Sequence, residues 1–159
     1  MTRERGVAIA VLIVRVAIGA IFLAAGALKA GHAAQFAVEI AAFRLLPPSV
    51  IGPMALGLPL LEMLLGACLV LGVFTRASAW IAFAMFAAFD LAIASAVVRG
   101  MSVNCGCFGP NDASVTSWSE VARDAIFVVL ALLVALRPPG ALALDHRINA
   151  LPAERGQPS

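Results

Sequence analysis

ASAWIAFAMFAAFDLAIASAVV, residues 77–98, decides the fold. A helix needs about 20 mostly apolar residues to cross roughly 30 Å of hydrocarbon, and this run supplies them with one charge, Asp90. Working outward, the short basic turn Thr75-Arg76 joins it to a second apolar run, residues 54–74, which carries Glu62. A third, residues 6–28, is interrupted once, by Arg15. The fourth, residues 118–136, is the weakest, because Glu120, Arg123 and Asp124 crowd its first turns. Its start is nonetheless well marked. Ser117 as N-cap and Glu120 at the third helical position fit a capping box, and Trp118 suits an interfacial anchor. Four such runs predict an all-α integral membrane four-helix bundle.

Composition agrees with that class. Hydrophobic residues are 62% and charged residues 13%, against roughly half and a quarter in soluble domains. With a mean hydropathy of +1.00, a water-soluble fold of this length would expose too much apolar surface. A net charge of +2 with no basic cluster gives no case for nucleic acid. The opening Met1-Thr2-Arg3-Glu4-Arg5 before an apolar run also resembles a signal peptide. That run is longer than a usual signal core and holds Arg15, so an uncleaved first span is expected.

Basic residues set the expected orientation. With the N-terminus cytoplasmic, Arg3, Arg5, Arg76, Arg137, Arg147 and Arg155 lie inside, and Lys29, Arg44, Arg99 and Arg123 lie outside. Both termini are then cytoplasmic, and residues 99–117 face the periplasm or outer side of a bacterial cell membrane. Between the first two spans, Phe36, Ile40 and Phe43 recur at helical spacing, with Gln35, Glu39 and Arg44 elsewhere on the turn. They predict a short amphipathic interfacial helix that stops at Leu46-Pro47-Pro48. The domain reading is a membrane unit over residues 1–137 and a polar tail over residues 138–159.

The outward segment contains Cys105-Gly106-Cys107 among Gly, Asn, Pro and Ser. Cysteines two positions apart sit at or just beyond comfortable disulfide reach, so their bridge is easily reduced. An oxidising compartment lets such a pair close and open. Inert thiols are a weaker reading in so cysteine-poor a chain. A metal site is weaker still, since no second cysteine pair completes a tetrahedron and His32 and His146 fall on opposite faces. The pair is therefore read as a catalytic redox pair that exchanges with a partner rather than as a structural staple. Cys68, deep in the second span, is a packing residue.

Charges within the spans are costly without partners. Helical rise places Arg15 and Glu62 each near the midplane, predicting a structural Arg15–Glu62 ion pair. Asp90 lies nearer the outer face, level with Arg123 and Asp124, predicting an Asp90–Arg123 contact beneath the cysteines. Those three residues either tune the thiols and relay a proton, or only lock helix register.

Arg15…Phe22-Leu23-Ala24-Ala25-Gly26-Ala27-Leu28-Lys29 resembles the first span of DoxX-like membrane proteins. Phe36…Phe43-Arg44-Leu45-Leu46-Pro47 and Leu58-Pro59-Leu60-Leu61-Glu62…Gly66 continue the likeness. Asn104-Cys105-Gly106-Cys107-Phe108-Gly109, followed by Trp118 and Arg123-Asp124, is similar to the methylamine utilisation MauE branch. Asp124 departs from that pattern, where Asn is expected. The resemblance implies a four-helix membrane protein serving thiol–disulfide redox maturation of exported proteins, in the MauE case of the methylamine dehydrogenase small subunit. It also implies a link to quinone, by analogy with four-helix thiol oxidases. Two other classes stay open: a non-enzymatic assembly scaffold, and a small solute or proton carrier built on Arg15, Glu62 and Asp90.

Overall fold

The structure, a computed structural model, describes residues 2–104 and 115–137. The described residues form five helices: α1 (Thr2–Ala30), α2 (Ala33–Ala42), α3 (Pro48–Leu71), α4 (Thr75–Val98) and α5 (Trp118–Leu136). The fold is all-helical. α1, α3 and α4 are each long and apolar enough to cross a membrane. α5 completes the four-helix bundle, and α2 is the short helix expected between the first two spans.

Local chemistry explains the boundaries. α3 begins earlier than expected, because Pro48 suits the first helical position and Pro47 holds an extended φ of −66° and ψ of 147° before it. α2 itself stops at Ala42, short of the expected Leu46-Pro47-Pro48, and Arg44 just beyond it takes a left-handed φ of 53°. At the far end Gly72 takes the left-handed conformation (φ 71°), and its N–H donates to the Cys68 carbonyl. Phe74 is also left-handed (φ 48°). The turn is complete in three residues, so α3 and α4 are antiparallel neighbours. Ser117 is the N-cap of α5, but its hydroxyl contacts the Ser119 hydroxyl at 2.7 Å and makes no cap bond to the helix. The expected capping box does not close, because Glu120 pairs with Arg123 instead.

Packing is tightest between α1 and α3, with α4 and α5 forming the second close pair. A Cβ on Gly66 would lie 2.6 Å from the Gly19 carbonyl, and one on Gly19 would lie 2.9 Å from the Gly66 carbonyl. A Cβ on Gly26 would lie 2.7 Å from the Pro59 carbonyl. These glycines let two backbones touch, the usual means of helix association where lipid removes the hydrophobic drive. The core spans all four long helices through Ile18, Phe22, Leu65, Leu69, Ala79, Ala82, Met85, Ala131 and Val134.

Gly66→Ala should therefore cost about 1–3 kcal/mol by forcing backbones apart, read as a lower unfolding midpoint in detergent. Gly57→Ala, with nothing within 4 Å of the new Cβ, should cause no loss. Equal effects at the two positions would remove the close approach as the organising contact.

Candidate functional site: a buried ion pair in an aromatic cavity

The glycine contacts fix which charges meet. Gly19 lies against Gly66, and Gly26 lies against Pro59 and Met63. Lys29, one turn beyond Gly26, therefore reaches Glu62. Its Nζ donates to Glu62 Oε1 at 2.7 Å, and both side chains are almost fully buried. The expected Arg15–Glu62 pair is replaced by this one. Arg15 sits fourteen residues back along α1, about 21 Å at 1.5 Å per residue. It is buried among Ile18, Leu69, Ala79, Ala82, Ala131 and Val134.

A lysine at the end of a span ordinarily extends its ammonium toward the interface. Lys29 does not, because α1 ends beside the middle of α3 and α2 folds over it. Phe36, buried on α2, places its ring centroid 5.2 Å from Lys29 Nζ, and the Phe89 centroid of α4 lies at 5.4 Å. Two aromatic faces and a carboxylate thus replace water around the ammonium.

The pair lines a cavity of about 50 Å³, together with Ile21, Phe22, Ala25, Phe86, Phe89, Asp124 and Phe127. Asp124 reaches it from α5. On the same helix Arg123 donates Nε to Asp124 Oδ1 at 2.8 Å and pairs with Glu120. Arg123 thus pairs with two acids of its own helix, where a contact with Asp90 was expected. Asp90, half-buried on α4, lies close enough to Asp124 for their charges to interact. Asp90, Arg123 and Asp124 do share one end of the bundle.

A second hollow, about 260 Å³, runs between α2, α3 and α4. Its walls are apolar, including Ile40, Phe43, Leu46, Met54, Leu58 and Ile93, with Glu39 among them. Phe36 and Phe89 belong to this wall and also flank Lys29.

Cys105 and Cys107 lie outside the described residues, as does the tail 138–159. The chain on either side of the cysteine segment is described. Asn104 and Val115 form an antiparallel bridge. Thr116 N–H donates to the Val103 carbonyl at 2.9 Å, and its hydroxyl donates to the Met101 carbonyl at 2.9 Å. The chain segments entering and leaving residues 105–114 are therefore fastened to each other at the head of α5. Among the described residues no group of His, Cys, Asp and Glu could hold a metal ion.

A family model described as methylamine utilisation protein MauE matches residues 7–137. The chain belongs to the MauE family. The methylamine utilization protein MauE of Paracoccus denitrificans is 32% identical over 129 residues, covering 80% of this chain and 69% of that relative. That of Paracoccus versutus is 34% identical over 129 residues, covering 77% and 69%. The Methylorubrum extorquens protein is 34% identical over 116 residues, covering 72% and 62%. No solved structure matches the chain. The MauE match spans all five helices, so the ion pair and the cysteine segment both lie within the family unit.

Sequence reasoning missed Lys29 as a site residue, counting it among outer flanking charges. The available signal was Gly26, one turn before it, and Gly66, one turn after Glu62. Glycines so placed permit the close approach that brings the two charges level.

Breaking the pair should be far worse than deleting it. Lys29→Met or Glu62→Leu alone strands a buried charge and should cost about 3–5 kcal/mol, whereas the double variant should recover much of that loss. Unfolding midpoints of the four proteins in detergent test this. Additive losses would show that the two side chains do not act as a unit.

Proposed function

We propose that this chain is a cell-membrane component of methylamine utilisation, supporting thiol–disulfide maturation of an exported protein through Cys105 and Cys107. The Cys105–Cys107 disulfide accepts two electrons from a partner dithiol. The partner gains a disulfide, the two cysteines become thiols, and two protons move with the exchange. The partner is a thioredoxin-like or disulfide-bearing exported protein. The relatives' role in methylamine utilisation supports the pathway. The observation that carries the chemistry is the fastened base of the cysteine segment: the bridge at Asn104 and Val115 stands at the head of α5, where Glu120, Arg123 and Asp124 concentrate charge. Such charges bias thiolate formation in a neighbouring cysteine.

In this reading both termini are cytoplasmic and the cysteine segment faces the periplasm. The burial of Lys29 strengthens the charge asymmetry behind that orientation. With Arg15 and Lys29 both inside the bundle, six basic residues stand on the cytoplasmic side and three (Arg44, Arg99 and Arg123) on the other. The onward electron acceptor is a quinone. The apolar hollow between α2, α3 and α4 suits an aromatic head and prenyl tail, with Phe36, Phe43 and Phe89 in its walls. Bound there, a quinone would supply a two-electron, two-proton sink. By composition we assign residues 138–159 to a polar tail outside this unit.

The replacement Cys105→Ser/Cys107→Ser should abolish redox change of the partner in cells while leaving membrane insertion intact. In parallel, a membrane-impermeant maleimide should label the wild-type pair from outside only after mild reduction. Normal maturation by the double variant would end the thiol reading and leave an assembly scaffold. Labelling only after permeabilisation would reverse the orientation.

A further inference from the structure

We propose that the cavity between α1, α3, α4 and α5 is a binding site for a small primary ammonium ion. Its volume of about 50 Å³ exceeds the 10–15 Å³ or so needed for one water. The walls combine two kinds of group that recognise ammonium. Phe22, Phe86, Phe89 and Phe127 supply aromatic rings. Phe86 stacks on Phe127 at 5.6 Å and meets Phe22 edge-on at 4.8 Å, so the rings form one connected wall. Glu62 and Asp124 supply carboxylates.

Glu62 carries the argument. It is 3% exposed and engages Lys29 through Oε1. Its other oxygen, Oε2, is buried without a hydrogen-bond partner among the described residues. A carboxylate oxygen held from water without a donor is costly, so the cavity it lines is set up to receive one. Charge selects the kind of donor. Around the cavity Glu62, Asp90, Asp124 and Glu120 outnumber Lys29 and Arg123, and a cation reduces that excess. Lys29 already shows the mode of recognition, its ammonium resting against two rings and one Glu62 oxygen.

A primary ammonium has three N–H donors for Glu62 Oε2 and Asp124, and its alkyl group can lie against the rings. A quaternary ammonium has no N–H donor to offer either carboxylate. A bare alkali cation gains less from the aromatic wall and leaves it unfilled.

The site does not depend on thiol chemistry, and one experiment separates the two. Radiolabelled methylammonium is titrated against the full chain in lipid nanodiscs at fixed pH. Saturable binding is expected, displaced by ethylammonium but not by tetramethylammonium or potassium. Asp124→Asn and Phe127→Leu, which leave the Lys29–Glu62 pair intact, should weaken it by about tenfold or more while keeping near-wild-type thermal midpoints. Cys105→Ser/Cys107→Ser should bind as the wild type does. Absence of saturable binding to folded wild type, unchanged affinity in both cavity variants, or equal displacement by potassium would each overturn the proposal.

Discussion

The contact on which the rest of the molecule depends is the backbone approach of α1 and α3 through Gly19, Gly26 and Gly66. Lipid tails are as apolar as leucine, so helices in a bilayer gain little from burying apolar side chains against each other. Close packing and polar pairing must do the work. With no side chain at these positions, Gly19 and Gly66 each lie almost on the other's carbonyl. That contact fixes the register of the two helices, and every buried charge follows from it. α1 ends beside the middle of α3, so Lys29 meets Glu62 and Arg15 is carried toward the opposite end of the bundle.

Polar groups inside the bundle are confined rather than scattered. Lys29 pairs with one oxygen of Glu62, and Phe36 and Phe89 shield the ammonium. α5 carries three charges in its first two turns, yet Arg123 draws Glu120 and Asp124 together on its own surface. Asp124 then reaches the cavity that Glu62 lines from α3. One end of the bundle thus holds a polar pocket walled by phenylalanine, whereas toward the opposite end Arg15 sits among aliphatic side chains.

Membership of the MauE family gives this arrangement a setting without dictating its chemistry. The cysteine segment and the aromatic cavity are distinct features of one unit. The first is fastened at its base by the bridge at Asn104 and Val115, outside the helices. The second lies within them. A bundle whose cavity binds a ligand and whose outer segment exchanges thiols would join two activities on one scaffold, and each can be tested without the other.

By itself the sequence determined the class of this protein and the place of its helices. Apolar runs of spanning length around Glu62 and Asp90, the tight turn before Arg76 and the proline pair at Pro47 and Pro48 are local features, read one segment at a time. The Cys105-Gly106-Cys107 motif is local too, and it stood out without any fold. The ion pairing was not local. Placing each helix in the bilayer by residue count put Arg15 and Glu62 at one level, because that arithmetic assumes helices that begin and end together. Only the tertiary structure decided that Lys29, and not Arg15, meets Glu62. The physical reason is that helix register is set by where two backbones can touch, and at Gly19 and Gly66 that is a property of the pair of helices, not of either one.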